Sequence, residues 1–280
     1  MPQSTQHTLV SASVFEGKGL HTGEYGRVKL LPAPPGSGIL FRRTDLPGRP
    51  EIPALAEYVG RTARSTTLLS GEASAVTVEH LLSALLGMGV DNALIELEGP
   101  EVPILSGNAL PFAEAILKTG LQDQGVPHRF LEVTQTLEIK DDMSGAWIRI
   151  DPSESPSADV TVDFGTPVPG VLHCHWDLAT DYLREIAPCR TFVFYRDVER
   201  LLKENLIKGG DLENALVITE DGYLGNPRLH FPDECGRHKL LDLLGDLCLA
   251  GGPLLARVTA FKPGHTLNTR AAKALRELFK

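Results

Sequence analysis

Closely spaced cysteines are missing from this 280-residue chain: Cys174, Cys189, Cys235 and Cys248 are scattered, and none belongs to a CxxC pair. That absence excludes a cysteine-rich structural zinc module and a disulfide framework, so free thiols in a reducing compartment are the expectation. A surplus of basic residues is missing as well. The formal net charge is -9, which argues against non-specific nucleic-acid binding, where Lys and Arg must displace counterions. No run approaches the roughly 18 uninterrupted apolar residues of a membrane span, so no transmembrane segment is expected. The opening residues, Met1 to His7, carry neither the basic start nor the apolar stretch of a secretory signal. A cytoplasmic location is therefore expected. Hydrophobic content of 42% and charged content of 22% are ordinary for a globular protein, and the length suits two domains with a core each.

Turn-forming residues at Gly125-Val126-Pro127 separate two halves that repeat one order. In the first, strand-like runs such as 27–31 and 38–42 precede a helix with Thr77 as N-cap and 80–86 as body, stopped by Gly87 and Gly89. A strand at 92–97, a turn at Gly99-Pro100 and a helix near 111–118 follow. In the second, strands at 131–139 and 146–150 precede a helix at 234–249, stopped by Gly251-Gly252-Pro253. A strand at 254–260, a Pro263-Gly264 turn and a helix at 269–279 complete it. The pattern predicts an α+β protein of two similar domains, residues 1–126 and 127–280.

One segment is hard to explain as core. Arg237-His238-Lys239-Leu240-Leu241-Asp242-Leu243-Leu244-Gly245-Asp246 puts an imidazole and two carboxylates one helical turn apart among leucines. Side chains at i and i+4 share a helix face, so His238 and Asp242 can close on one metal ion, with Asp246 a turn further along. Burying an unpaired charge costs several kcal/mol, which a helix that merely filled a core would avoid. The HExxH pattern, where one helix supplies base and both ligands, is absent, so the ligand set has to come from two elements. Glu79-His80-Leu81-Leu82 echoes Arg237-His238-Lys239-Leu240-Leu241, and duplicated helices packed side by side would bring the two histidines together. His80, His238 and Asp242, with a fourth position open, form the usual ligand set of a hydrolytic zinc site. Glu79 adjoins a ligand and can serve as base. Chance i,i+4 His/Asp pairs are common, and at this point a plain structural reading stays open.

Collinear stretches carry a more specific signal: Gly19-Leu20-His21-Thr22-Gly23, Phe41-Arg42-Arg43-Thr44-Asp45, Thr77-Val78-Glu79-His80-Leu81, Glu101-Val102-Pro103-Ile104, Cys189-Arg190-Thr191-Phe192, the 237–246 segment, and Gly264-His265-Thr266-Leu267-Asn268. They cover nearly the whole chain, which resembles the UDP-3-O-acyl-N-acetylglucosamine deacetylase family, the zinc amidases of bacterial lipid A synthesis. The resemblance implies two α+β domains, each a sheet layer packed on helices, with the active site between them and a small βαββ-type insert in the second. It implies hydrolysis of the N-acetyl group of a nucleotide-sugar lipid precursor, releasing acetate in an early committed step. One Zn2+ per chain is implied, with Fe2+ as the alternative, and a monomer is expected.

Carried over by position, the resemblance makes His80, His238 and Asp242 the metal ligands and Glu79 the base. His265 becomes the group that stabilises the oxyanion as an imidazolium and protonates the leaving amine. Asp246 orients that imidazole, and Thr191 donates its hydroxyl to the oxyanion. Lys239 meets a substrate phosphate, Phe192 packs on the glucosamine ring, and Asp197 and Leu20 are further substrate contacts. The insert, about residues 194–218, supplies an apolar passage for the acyl chain, lined by Val198, Ile207, Leu212, Ala215 and Val217. Each buried CH2 in such a passage is worth about 0.8 kcal/mol.

Several residues carry competing readings. Without the resemblance the insert's apolar residues are ordinary core, and Asp197 is equally a carboxylate at a helix N-terminus. His21 is either a substrate contact or a loop residue set by glycine turns. His173 and His175 read as exposed strand histidines rather than a metal site, His7, His128 and His230 as surface residues, and Cys248 as core. The chain also departs from the family in two places: Ser106 stands where a carboxylate is usual, and Arg64 puts a charge where an apolar residue is usual. Two alternatives therefore accompany the leading function. One is a deacetylase for a different acylated amino sugar. The other is a non-catalytic homologue that binds lipid intermediates, against which the full set of His80, His238, Asp242, Glu79, His265 and Asp246 counts.

Overall fold

Alternating burial builds the sheets. Along β3, Val28 and Leu30 point into the core while Arg27 stays exposed, the period-two pattern of a strand with one face covered. The computed structural model describes residues 5–279. The first half contains β1 (Thr5–Leu9), β2 (Ser13–Lys18), β3 (Tyr25–Pro32), β4 (Ile39–Arg43), β5 (Glu51–Pro53), β6 (Val59–Arg61), β7 (Thr67–Ser70) and β8 (Ala73–Ala75). It continues with α1 (Glu79–Gly87), β9 (Ala93–Glu98), α2 (Leu110–Thr119) and β10 (Leu121–Pro127). The second half opens with β11 (Leu131–Glu132), β12 (Leu137–Asp141), β13 (Ala146–Pro152), β14 (Ser157–Asp163), β15 (Val171–Asp177) and α3 (Tyr182–Glu185). It ends with β16 (Thr191–Phe194), α4 (Tyr195–Lys203), β17 (Ala215–Ile218), α5 (Glu234–Leu247), β18 (Leu254–Phe261) and α6 (His265–Leu278). The protein is thus α+β, as expected.

The two main sheets share one topology. Their strand orders are β2-β3-β9-β4-β5 and β12-β13-β18-β14-β15. In each, the strand that follows the buried helix enters the middle. It runs antiparallel to one neighbour, β3 or β13, and parallel to the other, β4 or β14. Residue 126 lies near the end of β10, which pairs back on β1. Among the described residues no helix is long and apolar enough to cross a membrane.

Several local expectations shift. The run 131–139 splits into β11, parallel to β18, and β12, antiparallel to β13, because its two ends take different partners. The last helix starts at His265 rather than residue 269, capped by Gly264. Thr77 is not the N-cap of α1: that position is Val78, and the Thr77 hydroxyl donates instead to buried Glu101 at 2.6 Å. Thr77 takes φ +57, a costly conformation for a β-branched residue, and the Glu101 bond holds it there. The insert is a β-α-β unit with β16 and β17 parallel. The third strand expected after it is reduced to one bridge between Ile218 and Tyr223.

One hydrophobic core runs through both halves, joining Leu81, Leu82 and Leu85 of α1 to Leu240, Leu241 and Leu244 of α5. The helices pack tightly at Gly245, where a Cβ would stand 2.1 Å from the Glu79 carbonyl oxygen. An exposed helical Gly→Ala change ordinarily gains about 1 kcal/mol. Here the added methyl meets backbone, and overpacking of this kind costs about 1–3 kcal/mol. Gly245→Ala should therefore lower the thermal midpoint, and calorimetry showing a raised one would contradict this packing.

Candidate active site

The helix contact brings two imidazoles together from opposite halves. His80, second in α1, and His238, in the second turn of α5, have ring centroids 5.0 Å apart in an edge-to-face arrangement. Asp242 lies one turn beyond His238, and its Oδ1 is 3.3 Å from His238 Nε2 and 3.7 Å from His80 Nε2. A ligand atom from each of the three lies within 4.8 Å of the others, and all three residues are buried. His238 Nδ1 is 3.0 Å from the Cys189 carbonyl. A carbonyl can only accept, so Nδ1 carries the proton and the Nε2 lone pair faces the cluster.

Asp242 Oδ1 is buried with no hydrogen-bond partner, an oxygen stranded between two imidazoles. Two ligands about 2.1 Å from a tetrahedral ion stand about 3.4 Å apart, close to the spacing here, so the residues fit a divalent cation. Burial drives His80 down to about 3, helped by His238, and burial lowers His238 too. Both are neutral, as ligands must be. Burial opposes the charge on Asp242, but the positive charges of Lys239 and His265 outweigh it and hold the carboxyl below its ordinary range. Lys239 Nζ donates to Asp242 Oδ2 at 2.6 Å.

A second group of polar side chains backs this cluster. Glu79 Oε2 accepts the Thr66 N–H at 3.0 Å, and its Oε1 lies 3.9 Å from His265 Nε2. His265 Nδ1 donates to Asp246 Oδ2 at 2.9 Å. Asp246 also accepts from the Thr66 hydroxyl at 2.5 Å and from Asn268 Nδ2 at 2.9 Å. Burial pushes Glu79 up to about 8, against the pull of His265 and with the push of Asp246 and Asp242. Burial works against a charge on His265, yet Asp246, Glu79 and Asp242 raise it to about 9.

Glu79, His80, His238, Asp242 and His265 line a cavity of about 630 Å3 walled by both halves. Thr191, Phe192, Lys239, Asp197 and Leu20 also line it, together with Arg64, Arg196, Lys262 and Arg270. Phe192 stands edge-on to His238, 6.1 Å between centroids, and Lys239 Nζ sits 5.6 Å over the Phe192 ring. Asp197, in the first turn of α4, pairs with Arg64 from the other half at 3.3 Å. None of Val198, Ile207, Leu212, Ala215 or Val217 is in the wall of this cavity. Along β17, Leu216 and Ile218 face a small core with Cys235. Ala215 and Val217 alternate to the other face of the strand, and Leu212 is half exposed.

Four residues in this region had no role in the sequence reading or a different one. Thr66 ties Glu79 to Asp246, and Asn268 adds a third bond to Asp246. Glu101 accepts from the His21 N–H, both Thr22 donors and Thr77. His21 is buried, with Nε2 lacking a partner, and its carbonyl and that of Leu20 receive the Lys208 and Gly209 N–H groups of the insert. Ser106 donates locally to Asn108 Oδ1 at 3.0 Å; His265 is braced without it. His173 and His175 are exposed strand residues paired with Thr161 and Asp159. His230 is exposed, but His7 and His128 are half-buried rather than on the open surface.

The profile of a family described as LpxC: UDP-3-O-acyl N-acetylglycosamine deacetylase matches residues 6–277. The chain belongs to this deacetylase family. It is 44% identical over 269 residues to a Myxococcus xanthus (strain DK1622) protein named UDP-3-O-acyl-N-acetylglucosamine deacetylase, covering 96% of this chain and 85% of that one. A Nostoc sp. (strain PCC 7120) protein of the same name is 42% identical over 276 residues, covering 96% and 98%. A Porphyromonas gingivalis (strain W83) protein named bifunctional enzyme LpxC/FabZ is 38% identical over 299 residues, covering 98% of this chain and 65% of that longer one. The LpxC family is metal-dependent, and His80, His238 and Asp242 are a candidate ligand group.

The buried acid and base leave a signature in the chelated protein. Glu79 rises from 4.5 to about 8 and His265 from 6.5 to about 9, so the folded state holds protons that the unfolded state releases. Stability from these groups is present below their unfolded values and is lost as pH rises towards the folded ones. The thermal midpoint of chelated protein should fall as pH rises from 4.5 to 9, and Glu79→Gln should flatten the part of that fall between 4.5 and 8. An unchanged slope in the variant would contradict the assignment.

Proposed function

We infer that the protein hydrolyses the N-acetyl group of UDP-3-O-acyl-N-acetylglucosamine, releasing acetate and a free amine in lipid A biosynthesis. One observation carries the reading: a His2Asp cluster assembled from opposite halves, with an orphaned Asp242 Oδ1, stands beside the Glu79–His265–Asp246 group in one cleft. The ion proposed for His80, His238 and Asp242 is Zn2+, one per catalytic site, and when bound it supplies Lewis acidity towards water and the acetyl carbonyl.

Glu79 takes the proton of the attacking water. Its carboxyl, held by the Thr66 N–H, ionises more readily once a divalent charge sits on the adjoining ligands. As the carbonyl becomes tetrahedral, the His265 imidazolium and the Thr191 hydroxyl stabilise the developing oxyanion. The C–N bond then breaks, and His265 donates its Nε2 proton to the leaving nitrogen while Asp246 keeps Nδ1 in place. Lys239, with Arg64, Arg196, Lys262 and Arg270 in the cavity wall, suits the charge of a nucleotide diphosphate. Phe192 and Leu20 offer apolar surface to the sugar, and Asp197 offers an acceptor for its hydroxyls.

The acyl chain is assigned to the insert, past Val198, Ile207, Leu212, Ala215 and Val217. The chain is proposed to work as two domains meeting near residue 126. It is proposed to act as a monomer, and in the cytoplasm, which suits its free cysteines.

Metal-restored protein should release acetate from this substrate, and no release would overturn the reading. Glu79→Ala should cut kcat by about 10²–10⁴-fold while sparing metal content, whereas His238→Ala should lower both. Tight binding of substrate without turnover by the unaltered protein would favour a non-catalytic role.

A further inference from the structure

Away from the cleft, three side chains that hydrolysis does not use come together. His7 lies in β1, Asp91 in the turn between α1 and β9, and His128 directly after β10. The Asp91 and Asn92 N–H groups both donate to the His7 carbonyl, at 2.9 and 3.2 Å, and the His7 N–H donates back to Asp91 Oδ2 at 2.6 Å. Asp91 is thereby fixed with Oδ1 left over, 3.3 Å from His128 Nδ1. The His128 side chain is 7% exposed and that of Asp91 17%.

Nδ1 of His7 and Nδ1 of His128 are both buried with no hydrogen-bond partner, whereas buried polar atoms ordinarily have one. Burial also pushes the Asp91 carboxyl above its ordinary range, against the pull of the His7 N–H and of both imidazoles. One ligand atom from each residue lies within 4.8 Å of the others. Ligands about 2.1 Å from a tetrahedral ion are about 3.4 Å apart, so the Asp91–His128 edge already has the required span. A small inward movement of His7 closes the set.

We propose that His7, Asp91 and His128 form a second site for a divalent transition-metal ion of the zinc class. The ion clips β1 to the end of β10, where the chain passes from its first half to its second. Two imidazoles and one carboxylate suit Zn2+ or Co2+ rather than Mg2+ or Ca2+, which prefer all-oxygen ligands. The site stands on its own geometry and does not depend on the deacetylase reading.

The test strips purified full-length protein with chelator and titrates it with Co2+, reading equivalents bound and thermal midpoint. The unaltered protein should bind two equivalents, and the His7→Ala/His128→Ala variant one. At one equivalent the variant's deacetylase activity should match that of the unaltered protein. Asp91→Asn, which keeps the side chain's shape, should also bind one, guarding against a folding defect in the double variant. His238→Ala should retain one equivalent with the raised midpoint that it brings. A single equivalent in the unaltered protein that His238→Ala abolishes would overturn the proposal, as would a second equivalent that survives both the double variant and Asp91→Asn.

Discussion

The backbone approach of α5 to α1 sets the geometry of everything in the cleft. Gly245 has no side chain, so the Glu79 carbonyl can settle against α5, and the leucines of both helices close into one core around that point. His80 and His238 are carried on these two helices, so a shift of one against the other separates the rings and removes Asp242 Oδ1 from between them. Hydrophobic packing, rather than polar contact, holds the ligand set in register. The sheets behind the helices repeat one topology, which presents two similar helices face to face.

That packing buries an unusual density of charge. Glu79, Asp242, Asp246 and His265 are all buried, and charges without partners at such depth would be strongly destabilising. Pairing resolves most of it: Asp246 has His265, Thr66 and Asn268, while Asp242 Oδ2 has Lys239. What pairing leaves over is informative. Glu79 is held near 8 by burial and by two carboxylates, and Asp242 Oδ1 has no donor. Both deficits are of positive charge, and both residues line the same cavity. In the proposed reaction a divalent cation there would make Glu79 an effective base at neutral pH, so folding stability and chemistry would place the same demand on the site.

Much of the cleft was legible in sequence because its residues sit at local spacings. The His238–Asp242–Asp246 ladder follows helical periodicity, and Glu79-His80 opens the matching helix. The α+β order was readable from strand alternation and Gly/Pro stops. What stayed hidden depends on contacts between residues far apart in the chain. Thr66 and Asn268 reach Asp246 across the fold, and nothing in Arg64-Ser65-Thr66 or Thr266-Leu267-Asn268 announces it. Thr77 looked like a helix cap, but Glu101, distant in sequence, took its hydroxyl. His7 and His128 looked like surface residues for the same reason: the β1–β10 pairing brings them near each other, and backbone bonds to the His7 carbonyl bring Asp91 to them.

The most direct measurement is anomalous diffraction at the metal's absorption edge, from crystals of the protein loaded with Zn2+. The expected result is a peak bounded by His80 Nε2, His238 Nε2 and Asp242 Oδ1, bridging α1 and α5. No peak at that point, or ligands there drawn from one half of the chain alone, would contradict a cation shared between the halves.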